Sequence, residues 1–558
     1  MAMRQKEPKI HLEIQTSRKN PVGIMRTTFW DRNEKKYKHE QLARIKNKTL
    51  NELRLIQAAL RGDVRPIDSP EVTQNIRSRE LGASREILNL IQRLGLDKMI
   101  YSRNEPWVQH VLAMVAGRII YQDSKLALCN MWENTCLWEL CGVEGRPQVQ
   151  KHCYAPMDEL LKRKASIQQK LSDKHLSKTN DQTIILYDIT STYFEGEYKE
   201  SDLVTYGYNR DRKRGTKQVV IGLICTGEGC PVGVEVFKGN TKDDATVIDK
   251  INEIRKLYGI QKCTFVGDRG MLTAKNLELL KDDDDLYTIT ALTHGNMKEL
   301  LENKTIQLEL FDEKNIVEAH DLVSPEIRYC LCKNPYSAQK ETATRKRLIE
   351  LSETALAEIA NYKNKCTVEV LGSRVGKILQ RYKMGKFINW HVEASEDGEG
   401  KSREHKLVWT LNDKKITSEE KLDGCYIIKT ALPSESMSTQ EVVENYKALG
   451  NVERAFRNMK TVTLEMRPVH HKTDQRIEAH IFICMLAYYV QWHMHKAFEP
   501  IYEADAQGSD RCHTFRNLIE DLKSIRSNTM CTNKIEYECP TQPSEKQQSI
   551  ISYLEKIA

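Results

Sequence analysis

The sequence predicts a multidomain α/β fold, with a core interrupted by a mostly β insertion and preceded by a helical N-terminal region. Three observations predict it. A chain of 558 residues exceeds what one compact core holds. The hydrophobic period changes from helical to strand-like at residue 183. Two stretches of core pattern, 179–300 and 433–500, flank a segment of different character, 301–432. Hydrophobic content of 40% and charged content of 29% are those of an ordinary globular protein.

Residues 1–66 read as a basic arm, extended at first and then helical from Glu40 to Arg61. Residues 1–65 carry 16 Lys/Arg against 7 Asp/Glu, an excess larger than the +7 of the whole chain. Such an arm on a near-neutral body points to a polyanion partner as readily as to a solvated surface. Asp68-Ser69-Pro70 is the expected boundary. From 67 to 178 the pattern is helical, with Leu88, Leu90, Ile91, Leu94 and Leu96, then Leu112, Val115, Ile119 and Ile120, near helical spacing. These stripes suit DNA docking, subunit pairing or plain core packing.

At residue 183 a β-branched apolar run, Thr183 to Thr190, begins a buried strand. Gln218 to Thr226 and Val232 to Lys238 are two more, joined by the turn Gly227-Glu-Gly-Cys-Pro. Asp243 to Tyr258 is an amphipathic helix, Lys262 to Gly267 a fourth strand, and Thr273 to Leu280 another helix. Strand, strand, strand, helix, strand, helix is the order of a ribonuclease-H-like core, an analogy of fold. In 301–432, Thr305 to Leu310, Ile327 to Cys332 and Cys425 to Thr430 alternate like strands around a charged helix from Thr342 to Ala360. Ser438-Thr-Gln-Glu441 is a capping box that opens a long helix through Lys460, and a second helix runs from Asp474 to Phe498. The tail, 501–558, is polar and loop-rich.

Fifteen cysteines without a Cys-x-x-Cys pair fit a reducing compartment better than disulfides or zinc. No apolar segment follows the N-terminus, and the longest apolar run, near Ile481 to Val490, is too short for a bilayer. A cytoplasmic protein away from the membrane is expected. His470, His471 and His480 lack partners at metal-ligand spacing and are expected to pack in a loop and a helix.

Three carboxylates stand out. Asp188 interrupts a strand that is apolar on both sides, where an ionised group is costly unless paired or metal-bound. Asp268 closes the fourth strand between glycines, at the strand end where α/β sheets carry functional groups. Tyr446, Glu453 and Lys460 follow at intervals of seven, on one helix face. Either aspartate alone suits a turn or a buried ion pair, and the helix row alone suits a surface ion-pair stripe. Together they suit phosphodiester chemistry, where two Mg²⁺ ions held by a few hard oxygen ligands activate the nucleophile and stabilise the leaving oxygen. Arg210, Arg212, Lys213, Arg214 and Lys217, interleaved with Tyr206 and Tyr208, suit a phosphate backbone and unstacked bases.

The segments Tyr187-Asp-Ile-Thr-Ser-Thr-Tyr-Phe194, Tyr206-Gly-Tyr-Asn-Arg210, Phe237-Lys-Gly-Asn-Thr241, Val266-Gly-Asp-Arg-Gly-Met271 and Tyr446 to Lys460 resemble the DDE transposases of bacterial insertion sequences. The resemblance is to the branch with a Tyr-Arg-Glu-Lys signature and a β-rich insertion before the Glu, and it covers roughly residues 80–500. It implies a ribonuclease-H-like core, two Mg²⁺ or Mn²⁺ ions on Asp188, Asp268 and Glu453, and action on the inverted-repeat ends of an element and on target DNA, with a homodimer in the DNA complex and a place at the nucleoid. Tyr446 and Lys460 take the Tyr and Lys of the signature. Its Arg falls on Leu449, so its work at the DNA passes to another residue, such as Arg454 or Arg457, or is omitted. The rival expectations are a nuclease that cleaves without joining, and an inactive DNA-binding derivative.

Overall fold

The computed structural model describes residues 9–16, 21–31, 36–61, 73–176, 183–208, 213, 215–242, 247–280, 283, 285–312, 315–361, 367–394, 405–507, 513–532 and 535–557. The chain forms two compact units, one of residues 1–78 with 528–539 and the other of residues 79–527 with 540–558.

The smaller unit holds an antiparallel sheet of Lys9–Gln15, Val22–Asp31 and Lys36–Ile45, covered by the helix Leu50–Arg61. Leu53 of that helix is fully buried, as are Leu12 and Ile24 of the sheet. The expected helix start at Glu40 is therefore corrected. Lys36–Ile45 is a strand, paired along its length with Val22–Asp31. The helix begins after a capping box, in which Glu52 N donates to Thr49 Oγ1 (3.3 Å) and Thr49 N to the Glu52 carboxylate (2.6 Å). The tail is corrected too. It carries strands Arg526–Thr532 and Ile535–Pro540, which form a sheet with Thr73–Glu80, and helices Phe515–Lys523 and Glu545–Glu555. A pairing partner some 450 residues upstream leaves no local trace.

The larger unit is built on a mixed sheet around the strand Thr183–Phe194. On one side Lys217–Thr226 pairs with it antiparallel, and Pro231–Lys238 pairs antiparallel with that. On the other side Cys263–Val266 and then Leu286–Ala291 run parallel to it. Leu286–Ala291 is a strand beyond those expected. Lys217–Thr226 is buried on both faces over most of its length, which explains its long apolar run, and Pro231–Lys238 is buried over its first half. One hydrophobic core joins this sheet to the helices of 82–176 and to Asp474–Ala497. Pro106–Ile120 is almost wholly buried and packs against Asp474–Ala497. The apolar stripes of the helical region are thus spent on this core.

The segment 301–432, expected as an insertion, continues the same sheet. Cys425–Thr430 pairs antiparallel with Leu286–Ala291, Arg328–Lys333 with Cys425–Thr430, and Val317–His320 with Arg328–Lys333. It is not mostly β. The helices Pro335–Ala360 and Val368–Tyr382 outweigh its strands and enclose a second small core with the hairpin Ile388–Ala394 and His405–Leu411. The stripe Leu371, Val375, Leu379 buries one face of the second helix at i, i+4, i+8 spacing. Thr305 to Leu310 is not a strand but ends in a single 3₁₀ turn, Leu308–Leu310, with Ile306 buried in a third small core.

Candidate active site

Asp188 and Asp268 reach the same place by strand register. Leu186 pairs with Val266 at the end of the parallel ladder, and each aspartate comes two residues later. Neighbouring strands lie about 4.8 Å apart, so the two aspartates come from adjacent strands just past the end of their parallel pairing, Asp188 mid-strand and Asp268 beyond its strand's end. Asp188 sits between the fully buried Tyr187 and Ile189, and its Oδ1 accepts from the Ile189 N–H at 2.7 Å. Asp268 lies on the turn that follows its strand. Its Oδ1 accepts from the N–H groups of Gly270 and Met271, both at 2.9 Å, which fixes the carboxylate at the turn.

Glu453 comes from the opposite wall. The capping box of Ser438 and Glu441 opens the helix Thr439–Lys447 as expected. The long helix is not continuous, however: it tightens at Ala448, where Asn451 N donates to Ala448 O, and resumes over Leu449–Arg457. A π-helical turn, Asn458–Val462, then carries Lys460. The Leu449–Arg457 helix packs on the Asp188 strand through Val452, Ala455 and Phe456, which leaves Glu453 exposed on the open face.

These elements enclose a cleft of about 810 Å³, lined by Asp188, Asp268, Tyr446, Glu453, Arg457 and Lys460 together with Thr190, Lys447, Leu449 and Arg467. Tyr446 is half-buried. Its phenol is pushed up by burial and by the negative charges of Asp268 and Glu453, while Arg269 opposes them. Lys460 is 8% exposed and donates to Thr190 Oγ1 at 2.5 Å. Thr190 lies two residues past Asp188, on the same face of the strand, so the ammonium is held beside that carboxylate.

Of Arg454 and Arg457, only Arg457 lines the cleft. Leu449, Glu453 and Arg457 follow at i, i+4, i+8 and all line the cleft. Arg454, one residue past Glu453, is turned away and its charge acts on Tyr488 and His495. Arg467 is an addition to the expected set. Its guanidinium lies 4.7 Å from the centre of the Tyr193 ring, and Lys213 Nζ lies 3.8 Å from the same ring. Lys217 donates to Glu197 O at 2.5 Å and is not among the cleft residues. Arg210, Arg212 and Arg214 lie outside the described residues. Asn334 and Tyr426 bring the insertion to the rim; their only signals in sequence are a helix cap and a strand. His471 and His480 pack ring to ring at 5.2 Å, as the packing reading expects.

The donor set suits a hard divalent cation: three carboxylates, no sulfur and no imidazole in the cleft wall, ringed by Lys447, Arg457, Lys460 and Arg467. Among the described residues, the three acids do not all draw within 4.8 Å of one another. Mutual repulsion opposes closer approach of like charges.

This arrangement coincides with a family match. The sequence model of the transposase DDE domain matches residues 179–490, more than half of the chain, and spans all three acids. The chain belongs to the DDE transposase family. Among curated proteins none matches it. For this transposase, the matched region begins just before the Asp188 strand and ends within the helix Asp474–Ala497, so it takes in the insertion as well. Among the described residues no helix is long and apolar enough to cross a membrane.

Proposed function

We propose that this transposase cuts DNA at the ends of an insertion sequence and joins the freed 3′-hydroxyl to target DNA. The observation that carries the reading is the register match of Asp188 and Asp268 on parallel strands, with Glu453 facing them across one cleft. The strand order supports a ribonuclease-H-like core: three antiparallel strands, with two parallel ones continuing the sheet in succession beyond the first.

In this reading Asp188, Asp268 and Glu453 hold two Mg²⁺ or Mn²⁺ ions, which supply Lewis-acid activation of the attacking oxygen and charge stabilisation on the leaving one. Lys460, fixed on Thr190, places a cation where the phosphate beside Asp188 gathers charge in the transition state. Arg457 and Arg467 grip flanking phosphates, and Lys213 extends that grip along Tyr193. Tyr446, with its phenol kept protonated, offers a hydrogen-bond donor in the cleft wall. Two element ends must be held together, which favours a pair of copies on DNA.

The test uses the inverted repeats expected beside the coding region, as labelled duplexes with Mg²⁺ or Mn²⁺. Asp188→Asn, Asp268→Asn and Glu453→Gln should each abolish cleavage and strand transfer while retaining binding to the repeat. Near-normal cleavage by any one of them refutes the assignment. A pre-cleaved end incubated with a target plasmid separates transposition from nuclease action, because a nuclease without joining activity leaves no joined product.

A further inference from the structure

Away from the cleft, among the described residues, His175, Cys230 and His493 bring their ligand atoms within 4.8 Å of one another. They come from three elements: the last residue of the helix Lys164–His175, the turn Thr226–Cys230, and the C-terminal part of Asp474–Ala497. Both helices pack on the strand Pro231–Lys238 that leaves this turn, so the convergence is a product of the core and not of a flexible surface. Cys230 is buried, and the His493 Nε2 atom is buried without a hydrogen-bond partner among the described residues. A buried polar nitrogen left unpaired costs about 1–3 kcal/mol, so such an atom marks a place that a ligand would relieve.

The surroundings resemble the second layer of a metal centre. The Tyr489 hydroxyl lies 2.8 Å from His175 Nε2 and fixes the orientation of that ring, as outer partners of metal-bound imidazoles do. The Tyr489 ring also stacks edge-on to His493 at 4.8 Å. A sulfur with two nitrogens is a borderline-soft set, unsuited to Mg²⁺ and suited to Zn²⁺. Ligand atoms around tetrahedral zinc stand about 3.3–3.7 Å apart, given bonds of about 2.0–2.3 Å, so the trio closes on an ion with shifts of about 1 Å.

We propose that His175, Cys230 and His493 form a zinc site separate from the carboxylate cleft, a staple that ties two helices to one turn of the core. The staple has a mechanical connection to the cleft. Gly229, next to Cys230, packs so tightly under Asn451 that a Cβ there would lie 2.6 Å from the Asn451 Cβ. Asn451 stands two residues before Glu453 on the same helix. Fixing Cys230 therefore fixes the support on which the Glu453 helix rests.

The experiment is metal analysis of the full chain purified without chelator and exchanged into Mg²⁺ buffer, followed by replacement of bound metal with Co²⁺. The expected result is on the order of one zinc per chain, with a near-ultraviolet thiolate-to-cobalt band and tetrahedral visible bands after exchange. Cys230→Ser should lose the thiolate band and Asp188→Asn should keep it. If Cys230→Ser does not fold, His175→Gln should give a folded chain with weakened zinc retention. Zinc well below stoichiometric in the wild type, or a cobalt thiolate band unchanged in Cys230→Ser, overturns the site. Neither result bears on the carboxylate cleft, whose reading is tested by cleavage alone.

Discussion

Gly229→Ala probes how rigidly the Glu453 helix is seated. Gly229 has φ of 87°, where an alanine costs about 1–2 kcal/mol of backbone energy. Its added methyl would also stand 2.6 Å from Asn451 Cβ, against 3.4–4 Å for ordinary contact, so turn and helix must part by about 1 Å. A displacement of that size at a catalytic group costs about 10²-fold in rate. The expected outcome is a fall in cleavage of the labelled repeat by about two orders of magnitude, with repeat binding unchanged. Gly259→Ala supplies the control, because Gly259 has φ of 62° and nothing within 4 Å of the place its added methyl would take. It carries the backbone cost without the clash and should cleave at close to the wild-type rate. Gly229→Ala combined with Asn451→Gly removes the opposing Cβ and should recover much of the loss. If Gly229→Ala cleaves as fast as Gly259→Ala, the claim that this turn seats the catalytic helix is refuted.

Arg457→Ala should weaken DNA binding and lower the salt slope by about one, while Arg454→Ala leaves both unchanged; filter binding across a salt series distinguishes them. In the insertion, Arg345 is paired with Asp423, both nearly buried, and Thr342 shares the same carboxylate. Asp423→Ala takes away the close bidentate partner of that guanidinium and leaves it only Glu420, 3.8 Å away, and should destabilise by up to about 3–5 kcal/mol, read as a lower urea midpoint for the transition that reports on this segment. His110 and His471 are held down by burial to about 4 and about 3, and His480 well below its ordinary value. Unfolded histidine binds its proton near pH 6.5, so the unfolded chain takes up more protons as pH falls. Stability from these groups is full above about pH 6.5 and is lost progressively towards pH 4, and thermal unfolding across that range should show a falling midpoint. A flat midpoint over this window contradicts their neutral burial.

Much of the site was legible because burial writes itself into composition. An aspartate within an apolar strand and another between glycines at a strand end are conspicuous, and Ser438 with Glu441 marks a helix start whatever surrounds it. Illegible features depended on partners far along the chain. Lys36–Ile45 is exposed and charged, so its residues carry no alternation, and only pairing with Val22–Asp31 makes it a strand. The choice between Arg454 and Arg457 is one of helix phase: position i+4 from Glu453 shares its face, and position i+1 is turned by about 100°. His175, Cys230 and His493 span most of the larger unit in sequence, and no spacing rule brings them together.

The route of the sheet through the insertion has an evolutionary consequence. The chain leaves the core at Ala291 and re-enters it on Cys425–Thr430, and Leu292 N already donates to Ile427 O. Exit and return are hydrogen-bonded neighbours, so a tight turn between them would satisfy the same backbone geometry as the whole excursion. Polypeptide can be gained or shed at that junction while Asp188 and Asp268 keep their register, and only the Asn334 edge of the cleft changes with it. A lineage can in this way remodel what its enzyme touches without rebuilding the chemistry beneath.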